Sequence, residues 1–168
     1  MFLLIVLLIG CQRDSKKIIV TDKQFGKYVH AFTSGTISAE SVITIYLAKP
    51  TSELDVSTKK LFKFLPEIVG ESVLIGDRII EFRPSEPLRS GTNYTGEFYL
   101  GDLISVEKQL EKMLFQFSTI EQSFSVSFDG LKNYDGELLD QMQFSGYILT
   151  ADVLGAENTE KLLKATFE

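Results

Sequence analysis

The sequence predicts an all-β protein: an Ig-like or fibronectin-type antiparallel β-sandwich over residues 27–119, followed by the start of a second β-rich unit over 123–168. Three observations carry that prediction. Thirteen Phe and six Tyr with no Trp, among many Val, Ile and Thr, favour strands over helices. Short apolar runs alternate with Gly, Pro and Ser at the spacing of a sandwich. A single cysteine, Cys11, and a single histidine, His30, leave the fold to rest on its core, without an internal disulfide or an ordinary zinc site. Hydrophobic and charged contents of 44% and 24% suit a folded body. The net charge of −6 excludes nucleic acid and anionic membrane surfaces as main partners, because both require a basic face.

Within the first unit, residues 28–33 form an opening strand that Ser34-Gly35 stops. In 41–48, Ile43, Ile45 and Leu47 fall on one face, with Val42, Thr44 and Tyr46 on the other. Pro50 ends that run, since it cannot donate to a ladder. Residues 61–65 place Phe62 and Phe64 together before Pro66. A hairpin spans 71–83, with Gly76-Asp77 as a two-residue primed turn, and Pro84 and Pro87 close it. Residues 93–100 form the next strand and 114–119 the last, with Phe115 and Phe117 inward. Between them, 105–113 reads as one or two helical turns with Ser105 as cap. Leu88, Gly91 and Tyr94 have the spacing of a tyrosine corner, in which the phenol tucks under a loop and bonds the backbone upstream.

Residues 120–122 read as a joint. Beyond it Phe124, Val126 and Phe128 alternate, Asp129-Gly130 turns the chain, and 141–150 forms a second long strand. Residues 156–164 read as a short helix with Leu162 and Leu163 on its apolar side, and 165–168 begin another strand. About 45 residues is at the margin of what folds without staples, so the parent protein is expected to continue.

The N-terminus carries a different signal. The apolar run Phe2 to Ile9 is too short for the roughly 20 residues that cross a bilayer, and suits the apolar region of an export signal. It ends in Leu8-Ile9-Gly10-Cys11, which resembles the lipobox of bacterial lipoproteins. That resemblance implies cleavage between Gly10 and Cys11, lipidation of the Cys11 thiol, and a place in the bacterial cell envelope. No Lys or Arg precedes the run, where export signals carry positive charge; a start codon further upstream would supply it. Polar residues follow, and 12–26 reads as a solvated tether.

The order of features resembles the first macroglobulin domain of bacterial alpha-2-macroglobulins. A strand ending at Pro50 leads to an aromatic strand closing on Pro66, with Ile68 and Gly70 after it. The segment Ile79-Ile80-Glu81-Phe82-Arg83-Pro84 then runs into Leu88, Gly91-Thr92 and Tyr94. Phe144 to Asp152 is similar to the opening of the family's second domain. The resemblance implies an envelope protease trap of the endopeptidase inhibitor family, with proteases as the parent protein's targets. This portion would supply the membrane anchor and scaffold. The family's Cys-Gln thioester has no counterpart here.

No catalytic residue, metal, cofactor or small-molecule substrate is expected. Asp129, Asp135, Asp140 and Asp152 do not have the spacing of a calcium loop and read as turn acids. His30 reads as a packed or half-exposed strand residue. Neither Ser34-Gly35-Thr36 nor Ser90-Gly91-Thr92 lies between a strand and a long helix, so neither is a phosphate loop. The alternative is a stand-alone surface lipoprotein whose sandwich binds a glycan or protein through Tyr46, Tyr99 or Tyr147.

Overall fold

The computed structural model describes residues 19–51, 56, 59–133 and 142–155. Among the described residues, ten strands form three sheets. The first sheet has the order β1 (Val29–Phe32), β3 (Ile43–Leu47), β6 (Ile79–Pro84), β5 (Gly70–Ile75). Facing it, the second runs β2 (Gly35–Ile37), β8 (Lys112–Thr119), β7 (Asn93–Tyr99), β4 (Phe62–Leu65). This is the immunoglobulin arrangement of two packed sheets, with the first strand shared between them. All pairings are antiparallel except β2 with β8, which is parallel. The third sheet is a ribbon of β9 (Phe124–Asn133) and β10 (Met142–Thr150).

Period-two alternation explains the core. Ile43, Ile45 and Leu47 from β3 and Ile80 and Phe82 from β6 face Phe62, Phe64, Phe98, Phe115 and Phe117 of the opposite sheet. Phe64 sits at the centre of this aromatic layer, 4.8 Å from Phe82 and edge-on to Phe115 and Phe117. Edge-to-face packing of this kind adds to what area burial alone supplies.

Several expectations change. The first strand is split: Gly35, at φ +73°, hands the chain from the first sheet to the second, where 35–37 pair with 117–119. A bulge between Val29 and Ala31 buries Val29 and leaves His30 exposed, neither packed nor half-exposed as the sequence suggests. The hairpin turn holds three residues, because Ile75 pairs with Ile79. Its carbonyls are drawn sideways: Arg78 O accepts Leu47 N–H, and Asp77 O accepts Thr51 N–H. The helix expected over 105–113 is absent. Two short 3-10 turns, Leu100–Asp102 and Lys108–Leu110, stand in this region, and Ser105 caps neither. Met113 belongs instead to β8, opposite Phe98, where it is fully buried.

The tether expected over 12–26 is folded onto the sandwich in its described part. Ile19 N–H donates to Gln116 Oε1 at 2.9 Å and Thr21 Oγ1 to Leu114 O at 2.8 Å. A 3-10 turn, Lys23–Lys27, follows, capped by Asp22 and burying Phe25. The segment therefore lies along β8, and Phe25 fastens it to the core.

Candidate functional site

Side-chain hydrogen bonds cluster where the sandwich meets the ribbon. The tyrosine corner begins it. Tyr94 and Leu88 are buried, and Tyr94 Oη accepts the Arg89 N–H at 3.1 Å. Gly91 takes φ +60°, a left-handed conformation that only glycine adopts cheaply. That conformation lets its N–H donate to Ile120 O at 3.1 Å. Ser90 Oγ accepts the Gln122 N–H at 2.6 Å and donates to Ile120 O. Ser90-Gly91-Thr92 thus grips the chain as it leaves β8.

A second grip comes from Asp152, just past the end of β10. It is 8% exposed, which is rare for a carboxylate without a cation. Its Oδ2 accepts the Ala39 N–H at 2.7 Å and its Oδ1 the Val153 N–H at 2.8 Å. The Ser38 hydroxyl also donates to it. Ala39 in turn accepts Leu88 N–H through its carbonyl, so one residue links the tyrosine corner to the ribbon. The main chain of Asp152 is held by Gln122. Its N–H donates to Gln122 Oε1 at 2.9 Å, and Gln122 Nε2 donates to Asp152 O at 3.2 Å.

Hydrogen bonds from Ser38 and Ala39 hold the Asp152 carboxyl below its ordinary value of 3.8, against an opposing push from burial. A lowered value means that the folded state favours the anion. The contribution is therefore complete above about pH 4 and is lost as pH falls further, through the lowered value. The joint is thus expected to hold from pH 5 to 8 and to loosen only in acid. Asp152→Ala should cost about 1–3 kcal/mol by orphaning the Ala39 and Ser38 donors. Amide exchange at Gln122 and Val153 should quicken while that of Phe98 does not. Unchanged exchange at both would show that the carboxylate does not hold the joint.

The other residues singled out from the sequence lie elsewhere. Gly10, Cys11, Asp135 and Asp140 fall outside the described residues, as does 156–168. Asp129 accepts a 3.4 Å bond from Ser145. It does not end a strand: β9 runs on to Asn133 through a bulge at Gly130, φ +85°, correcting the expected turn at Asp129-Gly130. Among the described residues, no three His, Cys, Asp or Glu side chains are grouped as metal ligands would be. His30 and Tyr46 line a shallow depression of about 570 Å³ with Asp77 and Arg78. Tyr46, Tyr99 and Tyr147 diverge. Tyr46 belongs to the first sheet, Tyr99 to the second and Tyr147 to the ribbon. Tyr99 is also committed, donating to Glu97 at 2.9 Å and lowering that carboxyl's pKa.

Sequence reasoning placed a joint at 120–122 but missed Gln122 and Asp152 as its clasp. Asp152 was grouped with turn acids, and its local bond to Val153 fits that. The bond to Ala39 joins residues 113 positions apart and left no local trace.

No protein-family model and no curated protein matches the chain. Among solved structures it resembles L,D-transpeptidase 3 from Mycobacterium tuberculosis in complex with a faropenem-derived adduct. That match has 10% identity and a TM-score of 0.41, covering 57% of this chain and 39% of that one. An L,D-transpeptidase from Mycobacterium tuberculosis H37Rv matches with the same identity and TM-score, over 56% of this chain and 41% of that one. The chain thus spans about two fifths of the length of these structures. A likeness this shallow carries no inference about activity.

Proposed function

We propose that this chain is the membrane-anchoring, non-catalytic scaffold portion of an alpha-2-macroglobulin-like protease trap in the bacterial cell envelope. The observation that carries the reading is the joint. A scaffold module has to pass a fixed orientation to the next one, and here the clasp of Ser38, Ala39, Gln122 and Asp152 seats the second unit on the first. The lipobox-like Gly10-Cys11 supplies the anchor. Eight peptide steps separate Cys11 from Ile19, the first described residue hydrogen-bonded to the sandwich. They span at most about 28 Å, which would keep the sandwich close to the lipid.

The stand-alone binding module finds less support from the tyrosines named for it, since Tyr46, Tyr99 and Tyr147 stand on three separate sheets and Tyr99 is only half-exposed. Extraction of the native protein from envelopes in detergent tests the proposal. The mature N-terminal peptide should begin at a diacylglyceryl Cys11. Protease added to the intact protein should keep its activity on small substrates and lose it on large ones. Recovery of an unmodified chain starting at Met1, or a protease left fully active on large substrates, would defeat the reading.

A further inference from the structure

The outer edges of the sandwich are not alike. β1 is four residues long and interrupted by its bulge. β2 has three residues, and the edge of β8 beyond it is crossed by Ile19 and Thr21, which bond Gln116 and Leu114. β4 has four residues, carries Lys63 and runs into Pro66. Short length, bulges, lysine and proline are the devices by which natural edges discourage strand addition. β5 has none of them. It runs six residues, Gly70 to Ile75, in unbroken register with β6.

The register fixes which backbone groups this open side presents. Arg78 O accepts the Leu47 N–H, and Ser85 N–H donates to Val69 O at 2.9 Å. Ladder bonds alternate along a strand, so β6 bonds β3 through 80 and 82 and β5 through 79, 81 and 83. Glu71, Val73 and Ile75 therefore direct their N–H and C=O groups to β6. Those of Gly70, Ser72 and Leu74 point outward, and no described residue bonds them. Ser72 and Leu74 are only half-buried, although their β6 partners Phe82 and Ile80 are buried. Among the described residues, β5 is an unfinished edge.

The strand is complementary to itself about Ser72. An antiparallel copy centred there pairs Ser72 with the partner's Ser72, and Gly70 with the partner's Leu74. Every outward N–H then meets a carbonyl, which makes about six ladder bonds. On the outer face Val69 and Ile75, 73% and 37% exposed, would each cover the other's counterpart. Glu71, the one charge in 69–75, falls opposite the partner's Val73 and not opposite itself. Like charges directly opposite would resist pairing; this register avoids them.

We propose that two copies of this chain associate edge to edge through β5, antiparallel about Ser72, joining their four-stranded first sheets into one. The two-fold uses the same patch on both copies. An edge contact is smaller than the roughly 800 Å² per partner of a stable interface, so the dimer should form and dissociate with concentration. This goes beyond the scaffold reading and depends neither on the lipid anchor nor on protease capture. Sedimentation velocity of the full chain in detergent, from sub-micromolar to sub-millimolar, should show monomer passing into dimer. Ser72→Pro removes an N–H that β6 does not use, and both copies lose it at the two-fold. It should weaken dimerisation at least about tenfold, with thermal unfolding of the dilute protein unchanged. Val73→Glu sets glutamates opposite each other and should also weaken it, and adding Glu71→Lys should restore it. A chain that stays monomeric throughout would overturn the proposal. So would a dimer indifferent to Ser72→Pro and Val73→Glu, or one that the charge swap does not restore.

Discussion

Phe115→Ala is expected to remove about 3–5 kcal/mol of stability, the usual cost of deleting a fully buried phenylalanine ring. Phe115 is 0% exposed, and its ring meets Phe32 edge-on at 5.9 Å, Phe64 at 6.3 Å and Phe117 at 6.3 Å. Those partners come from β1, β4 and β8, so the ring bridges both sheets. The cavity cannot easily close, because the neighbouring rings are held by their own strands. Domains of this kind have about 5–15 kcal/mol in total, so the variant should sit near the edge of folding. Urea unfolding of the full chain gives the number. A loss under about 1 kcal/mol would mean that the aromatic layer repacks freely.

Gly96→Ala should also destabilise the sandwich, though less, and for the opposite reason. Gly96 pairs with Phe64 on one side and Phe115 on the other. An added Cβ would stand 2.3 Å from Phe115 Cζ, far inside contact distance. Overpacking of this kind costs about 1–3 kcal/mol even after adjustment. The two sites share one volume, so their effects should not add. Gly96→Ala combined with Phe115→Ala should fall short of the summed losses by about 1 kcal/mol or more. Strict additivity in the denaturation midpoints would show that the ring does not lie over Gly96.

These residues also mark what the sequence reveals about the fold. Ile43, Ile45 and Leu47, or Phe62 and Phe64, alternate with polar neighbours, and a half-buried strand has no other way to be written. β2 could not be seen that way. It is three residues long, and the parallel partner that stabilises it lies 82 positions away. Residues 105–113 misled because Ser105 reads as a helix cap, while a cap residue alone does not make a helix. The structure buries Leu110 and Met113 from separate elements, a 3-10 turn and β8. The same logic governs the joint. Leu88, Gly91 and Tyr94 announced a tyrosine corner, whereas the bonds from Gln122 to Asp152 span 30 positions and depend on how two units meet. Local chemistry is written locally; a clasp between distant segments exists only once both have folded.

The parallel pairing of β2 with β8 has a mechanical consequence. The upstream chain enters β2 at Gly35, and the downstream chain leaves β8 at Thr119. Tension applied along the polypeptide therefore drags these neighbours past each other in opposite directions. Their ladder bonds are strained together in shear and do not unzip one by one. A domain stretched between a surface and whatever lies beyond it would resist as a rivet does, yielding late and all at once.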